Sequence, residues 1–228
     1  MKRARPIVAS DGPGGAGKST VARRLARELG FTFLNTGAMY RAVALAVGEA
    51  GIKPDDPKLE ERLAPILKSL KIEFEGDHVL LNGRDVSSAI TRSDIGDLAS
   101  TYSTLAPVRA RMRVIQRAIG EQGGVVMEGR DIGTAVFPDA EFKFFLDADP
   151  AVRATRRHAE LSLSGAPKNR DEVLRELVQR DHRDSAREIA PLRRADDAMV
   201  IDTSRMSIVQ VISALKERIQ GVYIPRRA

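Results

Sequence analysis

Residues 12–19 read Gly12-Pro13-Gly14-Gly15-Ala16-Gly17-Lys18-Ser19, which fits the pattern G-x-x-x-x-G-K-[S/T] at every fixed position. The stretch lies between an apolar run, residues 6–10, and an amphipathic segment, residues 19–29. Glycines let a loop turn successive backbone N–H groups toward phosphate oxygens, and the following helix adds the positive end of its dipole. Lys18 supplies a charge for the β- and γ-phosphates, and Ser19 supplies a hydroxyl for Mg²⁺. The stretch therefore predicts a strand, a phosphate-binding loop (P-loop) and a helix that bind a nucleoside triphosphate.

Outside this loop, five short apolar runs alternate with segments of helical periodicity. The runs are residues 6–10, 31–35, 125–128, 142–147 and 199–202, and the helical segments are residues 19–29, 108–119, 150–163, 171–182 and 208–219. This alternation predicts an α/β fold of the P-loop NTPase type, with a five-stranded parallel sheet and helices on both faces. Ligands of such sheets bind at the carboxyl ends of the strands. Gly12, Thr36, Gly129 and Thr203 follow predicted strand ends, so we expect them to face one crevice.

One region departs from this rhythm. Residues 72–75 alternate apolar and polar side chains, and after Gly76-Asp77 a second apolar run at 79–81 ends at Asn82-Gly83. The pattern predicts a small antiparallel hairpin with a further turn. We therefore predict an inserted subdomain at 55–104, with residues 1–54 and 105–228 forming the core. Residues 225–228 are expected to fray.

Composition limits the possible classes of protein. The 228 residues are 43% apolar and include no cysteine, which excludes disulfides, thiolate metal sites and cysteine nucleophiles. The sequence has no secretory signal pattern and no run of about 18 apolar residues, so we expect a cytoplasmic protein without a membrane partner. We also expect a monomer. The net charge is +6, but aromatic residues make up only 4% and tryptophan is absent, which leaves few stacking platforms for nucleic acid. We expect the excess of arginine to serve polyphosphate instead of nucleic acid.

The P-loop alone does not choose among GTPases, motor ATPases, transporters and small-molecule kinases. The short chain, the Gly129-Arg130-Asp131 sequence after a predicted strand and the Arg/Asp-rich segment at 180–187 favour a kinase for a small phosphorylated acceptor. Phosphoryl transfer is catalysed mainly by positioning the reactants and by placing positive charge beside the oxygens of the transferred group. Several converging arginines provide both.

Four further segments carry a family resemblance. They are residues 36–41 (TGAMYR), 128–134 (EGRDIGT) with 136–140, 180–185 (RDHRDS), and 190–192 with 195–198. Together with the P-loop, and in this order, they resemble the bacterial cytidylate kinases, which are nucleoside monophosphate kinases. The resemblance extends over residues 7–215. Two positions depart from the common pattern: Asn35 stands where the family mostly has Asp, and Gly14 stands where Ser or Ala is common.

The resemblance implies transfer of a phosphoryl group from ATP, with Mg²⁺, to CMP or dCMP. It also implies a core, an acceptor-binding insertion and a short lid at about 154–170. The implied ATP-binding residues are Gly12, Pro13, Gly14, Gly15, Ala16, Gly17, Lys18, Ser19 and Thr20 in the loop, with Arg153 and Arg157 from the lid. Ser19 is the implied Mg²⁺ ligand. The implied catalytic residues are Lys18, Arg130, Arg157 and Arg187.

The implied acceptor site is divided by chemistry. Ser100, Arg109 and Asp131 would read the cytosine edge; Thr36, Arg180 and Asp184 would hold the sugar region; Arg41, Arg130 and Arg187 would hold the acceptor phosphate. A carboxylate can accept from the cytosine amine, and a guanidinium can donate to the ring acceptors. A site that pairs those groups rejects uracil, because its buried partners would be left unmatched.

Two alternatives remain open at this point. One is a kinase for another small acceptor, such as UMP, AMP or shikimate, although the inserted hairpin argues against shikimate. The other is a nucleotide-binding switch or an RNA-associated ATPase, which would turn over triphosphate without a monophosphate acceptor. The absence of an N-K-x-D motif argues against a GTPase-type switch.

Overall fold

The strand that leads into the P-loop is the middle strand of a five-stranded sheet. In the computed structural model, which describes residues 3–163 and 165–221, strand β1 (Ile7–Asp11) is followed by helix α1 (Lys18–Leu29) and strand β2 (Thr32–Asn35). The other strands of this sheet are β6 (Val125–Glu128), β7 (Phe142–Asp147) and β8 (Met199–Asp202). Their order is β2-β6-β1-β7-β8. Residues 225–228, expected to fray, lie outside the described part.

Parallel pairing fixes the register around β1. Ala9 lies opposite Met127 of β6 on one side and opposite Lys143 of β7 on the other, and Leu146 of β7 lies opposite Ile201 of β8. All five residues of β1 are buried, as expected for a strand covered on both faces. The predicted α/β fold with a five-stranded parallel sheet is confirmed, and the predicted strand limits differ from the observed ones by one residue at β1 and β2.

The remaining elements of the described residues are seven α-helices, a 3₁₀ helix (Ala89–Thr91), a π-helical turn (Ile132–Val136) and a small second sheet. The helices are α2 (Thr36–Glu49), α3 (Leu59–Ser69), α4 (Ser93–Tyr102), α5 (Ala106–Gly120), α6 (Pro150–Leu163), α7 (Arg170–Ala186) and α8 (Ile208–Gln220). The second sheet is antiparallel, with order β3 (Ile72–Glu75), β4 (His78–Leu81) and β5 (Arg84–Asp85). The predicted hairpin is confirmed, and its Asn82-Gly83 turn leads into the short third strand.

The chain divides into two compact units. Unit 1 comprises the described residues of Met1–Leu34 and Gln122–Ala228, and unit 2 is Asn35–Glu121. Unit 2 is wider than the insertion predicted at 55–104, because it also contains α2 and α5. No helix within residues 3–163 and 165–221 is long and apolar enough to cross a membrane.

Each unit has its own apolar core. In unit 1, Leu25 of α1 and Leu215 of α8 belong to one buried cluster with Val8 and Phe144 of the sheet. Helices α6 and α7 pack on each other through a second cluster, Ala154, Leu161, Val173 and Leu177. In unit 2, Met39, Leu63, Tyr102 and Met112 are almost fully buried. The Tyr102 hydroxyl donates to the Ile52 carbonyl oxygen at 2.9 Å, so its burial leaves no polar group unsatisfied.

The first residue of the P-loop is held against the neighbouring strand. Gly12 has φ +142°, and a Cβ added there would lie 1.9 Å from the carbonyl oxygen of Leu146 in β7. Only glycine fits, because both the backbone conformation and the contact exclude a side chain. This contact fixes where the loop leaves the sheet.

We expect Gly12→Ala to lower the free energy of unfolding by at least about 2 kcal/mol, since strained backbone and overpacking each cost that order. Gly48→Ala is the matched control, because Gly48 lies inside α2 with nothing within 4 Å of the added Cβ. That change should be neutral or stabilising by about 0.5–1 kcal/mol. Urea unfolding of both variants measures the difference, and equal midpoints would contradict the contact at Gly12.

Candidate active site

Lys18, the cationic residue of the P-loop, is buried. Lys18 is the first residue of α1 and is only 5% exposed. Its Nζ donates to the carbonyl oxygen of Pro13 at 2.6 Å. Burial, together with the positive charges of Arg130 and Arg180, lowers the pKa of Lys18 to about 7, although Glu128 and Asp11 oppose the shift. A buried ammonium with cationic neighbours is ready to receive an anion, because phosphate oxygens would supply the missing negative charge.

A buried carboxylate, that of Asp11, lies directly before the P-loop. Asp11, at the end of β1, accepts the backbone N–H groups of Ile132 at 2.9 Å and Gly133 at 2.7 Å. Burial raises the pKa of Asp11 to about 6, and these two hydrogen bonds limit the rise. Asp11 therefore ties β1 to the turn that follows Asp131, which is one of the predicted site residues.

Ser19, the predicted magnesium ligand, lies beside an acid that the sequence analysis did not single out. Its Oγ donates to Oε1 of Glu128 at 2.6 Å, and Glu128 is buried at the end of β6. A hydroxyl and a carboxylate, completed by phosphate oxygens and water, form the kind of oxygen site that Mg²⁺ takes in P-loop enzymes. An acid at the end of the strand next to β1, directly before Gly129-Arg130-Asp131, was the signal that could have identified Glu128.

Predicted acceptor-site residues of unit 1 converge on one carboxylate, Asp184 of α7. Arg130 donates from Nε to Asp184 at 3.0 Å, and Arg187 lies 3.8 Å from the same carboxylate and 3.5 Å from that of Asp131. Burial alone would raise the pKa of Asp184, but the guanidinium groups of Arg130, Arg180 and Arg187 together hold it below its usual value. The structure thus brings these five residues together and keeps Asp184 ionised.

The two arginines predicted to cover the ATP phosphates differ in their surroundings. Arg153 of α6 is buried and donates to the carbonyl oxygens of Ala148 at 2.9 Å and Gly14 at 3.0 Å. It also pairs with Asp181 of α7 at 2.6 Å. Arg157 is far more exposed and pairs with Glu160 at 3.1 Å. Contact of either guanidinium with ATP stays a prediction.

In unit 2, the start of α2 carries Thr36 and Arg41. Thr36 is the first residue of the helix and is buried, and Asn35 caps it by accepting the N–H of Ala38 at 3.0 Å. The side-chain oxygen of Asn35 performs the capping that an Asp at this position would also perform. Arg41 donates to the carbonyl oxygen of Ile90 at 3.0 Å, which orients its guanidinium.

The predicted base-reading residues Ser100 and Arg109 are linked through Ser103. Arg109 is buried, donates to the Ser103 carbonyl oxygen at 3.1 Å and lies 5.7 Å from the centre of the Tyr40 ring. The Ser103 hydroxyl donates to the Ser100 carbonyl oxygen at 2.8 Å. By contrast, the Ser100 hydroxyl is buried without a hydrogen-bond partner among the described residues. Such a group calls for an explanation, and a ligand that bonds to it is one.

Comparison with known proteins shows which proteins this chain is similar to. The family model described as "Cytidylate kinase" matches residues 8–221. A cytidylate kinase from Citrifermentans bemidjiense is 48% identical over 93% of this chain and 94% of its own length. One from Chlorobaculum tepidum is 47% identical over 95% of this chain and 93% of its own length. Among solved structures, an uncharacterized protein from Eubacterium ventriosum matches with a TM-score of 0.50 and 13% identity, covering 95% of this chain and 99% of that one, which shows a likeness of fold alone.

The lowered pKa of Lys18 predicts proton uptake when ATP binds. At pH 8 a lysine whose pKa is about 7 is mostly neutral in the free protein, whereas the phosphate charges raise its pKa in the complex. ATP binding to the wild type at pH 8 should therefore take up more protons than binding to Lys18→Met. The difference should shrink toward zero at pH 6, where Lys18 is already charged.

Isothermal calorimetry in buffers of different ionisation enthalpy measures this uptake. Met is the matched replacement because it keeps an unbranched apolar side chain and removes the charge. Equal proton uptake by the two proteins at pH 8 would show that Lys18 is already charged in the free protein.

Proposed function

This chain belongs to the cytidylate kinase family, and from that premise we propose that it transfers the γ-phosphoryl group of ATP to CMP or dCMP. The products are ADP and CDP or dCDP. An oxygen of the acceptor phosphate attacks the γ-phosphorus, and the bond to the β-phosphate oxygen breaks as ADP leaves. No side chain becomes covalently attached, so the protein contributes position and charge.

The observation that carries the proposal is the group of guanidiniums around Asp184 in the same unit as the P-loop. Arg130 and Arg187 contact this buried carboxylate, and Arg180 lowers both its pKa and that of Lys18. Three guanidinium groups lie around two carboxylates, Asp184 and Asp131. This arrangement suits a site where phosphate groups from two nucleotides gather. Guanidinium groups held in place before the reaction stabilise the charge that spreads over the transferred oxygens.

The phosphoryl donor, ATP, would bind at the P-loop. The loop's backbone N–H groups and Lys18 would bind the β- and γ-phosphates of ATP, and Thr20 lies in the first turn of α1. Ser19 and Glu128 are the residues that would hold Mg²⁺, whose charge offsets that of the phosphates. Among the described residues Arg157 pairs with the exposed Glu160, and such a surface pair can be exchanged for ATP at small energetic cost.

Recognition of cytosine rests on three polar residues. In unit 2, Arg109 and Ser100 offer donors that match N3 and O2 of cytosine. In unit 1, Asp131 offers an acceptor that matches the cytosine amine. The orphaned Ser100 hydroxyl supports this assignment, because the free protein leaves that group for a ligand. Uracil presents a carbonyl where cytosine presents its amine and would leave Asp131 unmatched.

The direct test is ADP formation from Mg²⁺-ATP with CMP, dCMP, UMP and AMP, beside a reaction without acceptor. We expect turnover to depend on CMP or dCMP and Lys18→Ala to lower kcat by about 100-fold or more, as removal of an electrostatic donor does. ATP hydrolysis indifferent to acceptor would favour an ATPase or switch, and UMP used as well as CMP would contradict the base-reading assignment.

Replacement of Ser100 separates ligand recognition from stability. Ser100→Ala removes a buried hydroxyl that lacks a partner, so the free energy of unfolding should stay the same or rise. The KM for CMP should rise by about 5- to 10-fold, the order expected for one lost hydrogen bond.

Ser103→Ala provides the comparison for stability. This change removes a hydroxyl that is satisfied within the protein, and it should cost about 1 kcal/mol. Urea unfolding and CMP titrations measure both effects. A Ser100→Ala variant that is destabilised like Ser103→Ala, with an unchanged KM, would assign Ser100 a purely structural role.

A further inference from the structure

Thr203 contacts the P-loop from the end of β8. It directly follows β8 and is 3% exposed. Its Oγ1 lies 3.1 Å from the carbonyl oxygen of Ala16 and 3.1 Å from that of Asp147. A third partner is Arg156 of α6, whose Nη1 donates to the same Oγ1 at 3.0 Å.

Because the hydroxyl has one proton and three neighbours, its hydrogen bonds can be assigned. Arg156 donates to Oγ1 and also, from Nη2, to the Thr203 carbonyl oxygen at 2.7 Å, so the hydroxyl must donate elsewhere. The carbonyl oxygen of Asp147 already accepts the backbone N–H of Thr203 at 2.8 Å. We therefore assign the hydroxyl proton to the hydrogen bond with the carbonyl oxygen of Ala16, within the P-loop.

A bond to this carbonyl also sets the direction of an N–H group. In a trans peptide the C=O of one residue and the N–H of the next point in opposite directions, and the described chain has no cis peptide bond. With the Ala16 carbonyl directed at Thr203, the N–H of Gly17 points the other way. Gly17 is the N-cap of α1, with φ 85° and no side-chain cap, so this N–H belongs to the group available for anions.

The same arrangement occurs two residues earlier in the loop. Arg153 donates to the carbonyl oxygen of Gly14 at 3.0 Å and is itself held by Asp181 at 2.6 Å. Two alternate carbonyls of the loop, at Gly14 and Ala16, are thus bound by buried side chains that are each supported by a charged neighbour. Loop glycines alone permit many orientations of these peptides, whereas the two contacts select one.

We propose that Thr203, held by Arg156, is a positioning residue for the phosphate chain of the donor: it fixes the Ala16–Gly17 peptide so that the Gly17 N–H faces the phosphates. The inference rests on the proposed function only in that the P-loop binds a polyphosphate. It assigns Thr203 no contact with ATP and predicts that its effect falls on the donor and not on the acceptor. A binding measurement without acceptor can therefore test it separately from catalysis.

The test compares Thr203→Val, which keeps the shape and removes the hydroxyl, with Thr203→Ser, which keeps the hydroxyl. The Kd is measured at equilibrium for ATP and for inorganic tripolyphosphate, which has no base or sugar. The Val variant should lose about 10-fold in affinity for both, as for one lost hydrogen bond, and the Ser variant should stay within about 3-fold of the wild type. The KM for CMP should be unchanged in both variants.

Arg156→Gln provides a second variant on a partly buried side chain, in case the Val variant does not fold. Without Nη1 the Thr203 hydroxyl is free to turn to Asp147, so affinity for tripolyphosphate should fall by about 3-fold or more. A loss for ATP without a loss for tripolyphosphate would place the effect of Arg156 at the base or sugar and would contradict the proposal.

The outcomes separate this inference from the proposed function. If Thr203→Val is less stable but binds tripolyphosphate as tightly as the wild type does, Thr203 is a structural residue and the inference is overturned. If the wild type forms ADP without dependence on CMP, while Thr203→Val still loses affinity for tripolyphosphate, the proposed acceptor is wrong and the positioning role stands. A wild type that binds neither polyphosphate would overturn both.

Discussion

The burial of the Lys18 ammonium at the start of α1 is the constraint on which the rest of the site depends. Taking a cation out of water is unfavourable, and the carbonyl oxygen of Pro13 offsets only part of that cost, as the lowered pKa shows. The free protein thus holds in its interior an amine whose charged form it does not fully stabilise. A polyphosphate completes that environment, so part of the stability of the fold is given up in favour of binding.

Around this charge, the structure separates groups that hold the loop from groups left for ligands. Acceptors at the base of the loop are hydrogen-bonded within the protein: Asp11 accepts two backbone N–H groups, and the carbonyl oxygens of Gly14 and Ala16 accept from Arg153 and Thr203. Asp184 keeps its guanidinium neighbours in position before any phosphate arrives. Electrostatic catalysis depends on such preorganisation, since charges that need not reorient during the reaction stabilise the transition state at no further cost.

The sequence predicts those features that depend on local pattern. The P-loop, the five strands, the hairpin at 72–81 and helices α1, α6 and α8 follow from periodicity and turn residues that lie close together in the chain. Contacts between distant segments have no such signal. Thr203 meets Ala16 across 187 positions, and Glu128 meets Ser19 across 109, so neither pairing can be recognised before the strands are placed side by side. Arg153 illustrates the same limit, because its sequence position suggests a phosphate ligand and only packing shows its bonds to Gly14 and Asp181.

Buried hydroxyls with and without a hydrogen-bond partner carry different information about a site. A buried hydroxyl such as that of Ser103, which donates to a carbonyl, is explained by the fold itself. The hydroxyl of Ser100, three residues away, has no partner in the described structure and adds nothing to stability there. Evolution of a stable fold alone would favour alanine at that position, because an unpaired buried hydroxyl costs about 1–3 kcal/mol. A ligand recovers this free energy only when it presents an atom that bonds to the hydroxyl. In the proposed site, that requirement would make Ser100 favour a base with the matching atom over a base without it.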